Sequence, residues 1–197
     1  MPVRLVIALV SAALAVVAAG AWLWLGRDAP RPAALRTQPT SALYALVDTR
    51  QADTRPLTAA EVFTGATQTL GALRREAVEE LDDCADALWG VEADGCTQAL
   101  RATYRGEGMA GQFVIFNLPD GRAADALVSA LRTDGFVRQA LPFDPARSRA
   151  EVRALGHYVT VSWAGVLEGA AEGDLVQPLI ALDGLSAVVQ SRVLDAT

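Results

Sequence analysis

The sequence predicts an α+β fold, with an N-terminal transmembrane helix followed by a two-layer sandwich in which helices cover one face of an antiparallel sheet. Three observations predict it. Leu5 to Leu25 is a run of 21 residues with no charge and no proline. Leu100, Ala102 and Tyr104 alternate with Arg101, Thr103 and Arg105, the period of a half-buried strand. Ala124, Leu127, Val128 and Leu131 recur at helical spacing after Asn117-Leu118-Pro119-Asp120-Gly121, a strand stop followed by a helix start.

The apolar run comes first. At about 1.5 Å per residue it reaches the roughly 30 Å of a hydrocarbon core. Ala19-Gly20-Ala21 fits the small-residue cleavage site of a secretory leader. Against cleavage, the run continues through Trp22, Leu23, Trp24 and Leu25, and its tryptophans sit where an aromatic belt meets the headgroups. The expectation is an uncleaved signal-anchor over 5–25, with residues 1–4 as a short cytoplasmic tail. The flanking arginines (Arg4 on one side, Arg27, Arg31 and Arg36 on the other) count toward the opposite orientation. The short tail and a candidate disulfide downstream outweigh that count, so the C-terminal domain is expected outside the cytoplasmic membrane. Ser11, Ala15 and Ala19 repeat every four residues, a small-residue face that would let anchors associate into a homo-oligomer.

Residues 26–56 read as a linker interrupted by Pro30, Pro32, Pro39 and Pro56. Within it, Ala42 to Val47 could form a helical turn or two. The extracytoplasmic domain is expected over 57–197. Thr58-Ala59-Ala60-Glu61 is a capping box, and Leu57 and Val62 are placed as its hydrophobic staple. A second helix is expected over Asp83 to Val91. Strands follow at Leu100 to Arg105 and Gln112 to Leu118, then the helix that ends at Gly135. Val152 and Ala154, then Val159, Val161 and Trp163, read as two more strands, with Gly156-His157 suiting a two-residue turn between them. The C-terminal part is helical, with interruptions marked by Pro178 and Gly184. The expected order is α-α-β-β-α-β-β-α.

Composition excludes several chemistries. All 17 basic residues are arginine, so no Schiff-base or Walker lysine exists. From Gly26 onward 16 arginines face 23 acids, a balance of −7. That disfavours nucleic acid and anionic lipid as partners. Cys84 and Cys96 are the only cysteines. Outside the cytoplasm they read as a structural disulfide, and with one distant histidine they form no zinc site. Gly106 to Gly111 matches G-x-G-x-x-G, but a strand follows it where a dinucleotide site needs a helix, so a hairpin loop explains it better. The acids between Glu76 and Asp86 lack the spacing of a calcium loop and read as a solvated face. His157 is the only histidine, with no nucleophile elbow around any serine. No catalytic, metal or cofactor residue is assigned.

Cys84 with the segment Gly95 to Tyr104, and Gly156-His157-Tyr158, resembles uncharacterised single-pass exported proteins of actinobacteria. The resemblance implies a membrane-anchored extracytoplasmic domain and no activity. The expected function is therefore a binding or accessory module of the cell envelope, touching an envelope protein or polymer through the polar strip Arg101, Thr103 and Arg105. The alternatives are an assembly component acting through its membrane helix, and an extracytoplasmic carboxylate-dependent hydrolase.

Overall fold

The computed structural model describes residues 30–196. Leu5 to Leu25, with Ser11, Ala15 and Ala19, lies outside the described residues. Among those described, no helix is long and apolar enough to cross a membrane.

The chain is mixed α/β around a curled seven-stranded sheet. Its strands are β1 (Ala34–Gln38), β2 (Thr69–Leu70), β3 (Leu73–Leu81), β5 (Gln98–Arg105), β6 (Met109–Asn117), β8 (Asp144–Leu155) and β9 (Tyr158–Val166). Their spatial order is β1-β8-β9-β6-β5-β3-β2. Every neighbouring pair is antiparallel except β1 with β8, which is parallel. A separate two-stranded ribbon pairs β4 (Leu88–Trp89) with β7 (Phe136–Val137). The helices are α1 (Ala59–Val62), α2 (Gly121–Thr133), α3 (Val176–Asp183) and α4 (Ala187–Asp195).

The expectation of one covered face is corrected. β9 is buried along its whole length, and β6 at every residue but Met109, so the centre of the sheet is buried on both faces. One face carries Val114, Phe116, Val152, Val161 and Trp163 against Leu127, Val128 and Leu131 of α2. The other carries Leu100, Tyr104, Phe113, Ile115 and Tyr158 against Val47, Phe63, Leu182, Leu185 and Val189. The architecture is three layers. Runs such as Phe113-Val114-Ile115-Phe116, apolar on both faces, are the sequence form of a strand buried on both sides.

Two further expectations are corrected. Asp83 to Val91 is not a helix; a short 3-10 turn over Cys84–Ala87 leads directly into β4. The acidic stretch before it is strand β3, held by pairing with β5 from Arg74 to Leu81. Its composition of Glu, Arg and Leu favours helix, and pairing overrides that weak preference. The segment read as linker also departs from expectation, because Ala34–Gln38 joins the sheet and a 3-10 segment over Ser41–Val47 follows it. Prolines at 32 and 39 flank that strand without entering it, which is where an edge strand tolerates them.

Other elements form as their residues dictate. Thr58 caps α1, its hydroxyl accepting from the Glu61 backbone N–H at 3.2 Å. Asp120 caps α2 through the Ala123 N–H at 2.8 Å. The β8–β9 hairpin turns on Gly156-His157, with Leu155 paired to Tyr158. Gly156 has φ +61°, the left-handed conformation glycine adopts freely. A Cβ there would fall on the backbone carbonyl of Val47. α3 accommodates Pro178 in its first turn, where no intrahelical N–H is lost, and Gly184 opens the 3-10 turn between α3 and α4.

Candidate functional site

Arg101, Thr103 and Arg105 lie on one face of β5, as the alternation requires. The structure brings them together with the acids of β3. The Arg101 Nε donates to Glu79 at 2.6 Å, and Arg105 Nε to Glu76 at 2.7 Å. Arg101 and Glu79 are register partners across the two strands. Thr103 is buried. The strip is thus a cross-strand ladder of opposite charges, half-covered, rather than an open row of cationic side chains. Acids read as a solvated face and arginines read as a contact strip are two halves of one ladder.

The densest polar cluster lies elsewhere, beneath α4. Arg192 is only 3% exposed. Its guanidinium donates to Glu61 twice at 2.7 Å, to Asp53 at 2.7 Å, and to the backbone carbonyls of Arg55 and Pro56 at 2.8 and 3.2 Å. This fork geometry is what arginine provides and lysine does not. The Tyr158 hydroxyl donates to the other Asp53 oxygen at 2.7 Å. Next to Tyr158, the His157 ring lies tilted over the phenol with centroids 3.9 Å apart. The Val47 carbonyl accepts from both the His157 backbone N–H, at 3.0 Å, and the Nδ1, at 2.7 Å. The Nε2 then has no partner among the described residues.

The electrostatics follow from burial and pairing. Burial holds the His157 pKa below the ordinary histidine value, partly offset by the Val47 carbonyl and Asp53. Burial first, then the bond to Asp53, push the Tyr158 hydroxyl far above the usual tyrosine range. Glu61 and Asp53 raise Arg192 despite the cost of its burial. The result is a fixed cation, a buried anion, a phenol locked as donor and a neutral imidazole. Such an arrangement can fasten the 47–61 segment and α4 to the sheet. His157 and Tyr158 are wholly buried in it, so a substrate has no direct approach to either.

Three other features bear on function. Cys84 and Cys96 are disulfide-bonded, their Cα atoms 6.2 Å apart. The bridge ties the 3-10 turn after β3 to the loop before β5. Gly106 to Gly108 form the β5–β6 hairpin loop, closed by the Gly106 N–H donating to Met109 O at 2.9 Å, as the sequence context implies. One concavity of about 520 Å³ is an open cleft lined by Glu92, Asp94, Asp120 and Arg122, with Ala123, Ala126 and Ala130 of α2. Among the described residues no group of three or more His, Cys, Asp or Glu could hold a metal ion.

No family model, curated protein or solved structure matches the chain.

Asp53, Glu61, Tyr158 and Arg192 went unrecognised in the sequence as members of one cluster. One signal was present. Arg192 sits in the same helical stripe as Val188 and Val189, and a lone charge inside an apolar stripe marks a buried ion pair. Its partner Asp53 carried no such mark, because it lies in a stretch rich in polar and proline residues.

Proposed function

We propose that this chain is a membrane-anchored extracytoplasmic binding or accessory module of the cell envelope, acting by contact with an envelope protein or polymer. The observation that carries the reading is the Cys84–Cys96 disulfide. Stable disulfides belong to oxidising compartments, and the apolar run Leu5 to Leu25 supplies a route out of the cytoplasm and an anchor. Contact is favoured over catalysis by where the reactive side chains are. The one histidine, a tyrosine with a strongly raised pKa and the most heavily bonded arginine are all enclosed in a polar lock beneath α4.

The test is topology and redox state in intact cells. Externally added protease should remove a C-terminally tagged domain, and thiol reagents should label Cys84 and Cys96 only after reduction. Complete protection until lysis, with both thiols freely labelled, would place the domain in the cytoplasm and end the reading. A purified domain that turned over an envelope polymer, and lost turnover on one carboxylate-to-amide change in the 520 Å³ cleft, would establish the hydrolase instead.

A further inference from the structure

The register of the sheet gives the domain two ends. At one end lie Pro145 and Asp144, the β9 terminus Val166, and the β5–β6 hairpin at Arg105 to Met109. At the other lie the Gly156-His157 turn, Asn117, Gln98 and the 3-10 segment Ser41–Val47. β9, nine residues long, separates them by about 30 Å at ~3.4 Å per residue.

The chain enters at the first end, and it is fixed there. The Arg31 guanidinium donates to the backbone carbonyls of Leu131, Arg132 and Gly135 at 3.0, 2.8 and 2.9 Å. The first two are among the orphan carbonyls that the C-terminus of α2 leaves open, and a cation there also meets the favourable end of the helix dipole. The same guanidinium stands 5.9 Å from the Phe136 ring centroid. Two residues on, the Ala33 N–H donates to Pro145 O at 3.1 Å, and β1 begins at Ala34. Among the described residues, Arg31 is the first whose side chain is fixed to the body. Only Gly26, Arg27, Asp28, Ala29 and Pro30 separate it from Leu25. Fully extended, five residues span at most about 18 Å.

We infer, resting on the anchored reading above, that the domain stands end-on against the bilayer. The end carrying Arg31, Pro145 and the 105–109 hairpin faces the lipid headgroups, and the end carrying His157 and the Ser41–Val47 segment points outward. The tether sets this orientation. Charge does not, because the lipid-facing end exposes Glu107, Glu168, Glu172 and Asp174, which anionic headgroups repel. The outward end is the one available to an envelope partner, and it exposes Leu43 at 79% and Leu46 at 47%.

The experiment uses the full chain reconstituted in phospholipid vesicles that include a lipid with a chelated Ni²⁺ headgroup. A nitroxide is attached to a cysteine introduced at exposed Glu168 or at exposed Leu43 (E168C, L43C), the native pair remaining oxidised. Floatation with the vesicles is scored first. Failure to float removes the anchored reading itself. Given floatation, Ni²⁺ should relax the label at position 168 strongly and that at 43 weakly or not at all. Equal or reversed relaxation overturns the orientation while leaving the anchor intact. Inserting twenty Gly/Ser residues between Asp28 and Ala29 brings the tether to about 25–30 Å root-mean-square, and should erase the contrast. A contrast that survives the insertion shows that the tether does not cause it and overturns the inference.

Discussion

Arg192→Met removes the charge from the polar lock and keeps most of the hydrophobic stem. The variant leaves Asp53, nearly buried, with the Tyr158 hydroxyl as its remaining side-chain partner. Breaking a buried pair by removing one partner costs about 3–5 kcal/mol, because the other charge stays buried. Here the lower end applies. The Glu61 side chain is 33% exposed and recovers solvation, and the Arg55 and Pro56 carbonyls belong to exposed residues that water can reach. About 3 kcal/mol in a domain of this size lowers Tm by about 6–12 °C. Thermal and urea unfolding followed by circular dichroism measure it. Arg192→Lys should fall between the two, since an ammonium cannot reproduce the fork to Glu61 and Asp53 together. Asp53→Asn should cost less in the Arg192→Met background than alone, because the uncompensated charge is then already the problem. A Tm shift of Arg192→Met under about 2 °C, or strictly additive double-variant losses, would refute the reasoning and reduce the lock to a decorative contact.

Cys84→Ser with Cys96→Ser should lower stability by about 3 kcal/mol, the chain-entropy value for a loop of this size, read as a drop in urea midpoint; an unchanged midpoint would show that the bridge adds nothing. His157 has a folded pKa below its reference value of 6.5, so its contribution is complete above pH 6.5 and is lost as pH falls below it, when the unfolded chain takes up the proton first. The slope of unfolding free energy between pH 7 and 5.5 should therefore flatten in His157→Gln. Tyr104 and Tyr158 both have raised pKa values, chiefly through burial, so their phenolate absorbance should appear only as the protein unfolds above pH 10. Arg101→Ala should cost about 1 kcal/mol or less, as a partly exposed cross-strand pair does, and Arg101→Glu more, since it sets like charges directly opposite Glu79.

The sequence disclosed elements whose signal is local and unopposed. β5, α2 and the β8–β9 hairpin were legible because alternation, the Asp120 cap and Gly156 each specify a conformation within a few residues. β3 was not legible as a strand. Leu73-Arg74-Arg75-Glu76-Ala77-Val78-Glu79-Glu80-Leu81 shows no clean period of two, and its strand state depends on β5, some 25 residues away in sequence. The 34–56 segment failed for a related reason. Its prolines and polar residues look like those of a linker, and what makes it part of the domain is non-local: parallel pairing of Leu35 with Ala150, the Val47 carbonyl under the His157 turn, and Asp53 beneath Arg192. Arg101, Thr103 and Arg105 lie on one face of β5, as their alternation implies, yet the ion-pair partners of the two arginines lay in the stretch read as solvated acid.

These non-local contacts share one consequence. Residues 31–61 run from one end of the sheet to the other and are fastened at three points. Arg31 holds the start to the C-terminal end of α2. Val47 holds the middle to the β8–β9 turn. Asp53 and Glu61 hold the end to Arg192 in the last helix. Fastened along its length, this strap fixes residue 31 relative to the whole body, including the end where Leu43 and Leu46 are exposed. Arg192 sets the stability of the strap, and in the proposed end-on arrangement the strap fixes the point from which the tether runs. A chain with the lock weakened by Arg192→Lys, yet still folded, should retain the contrast between positions 168 and 43 only as long as Arg31 and Val47 stay engaged.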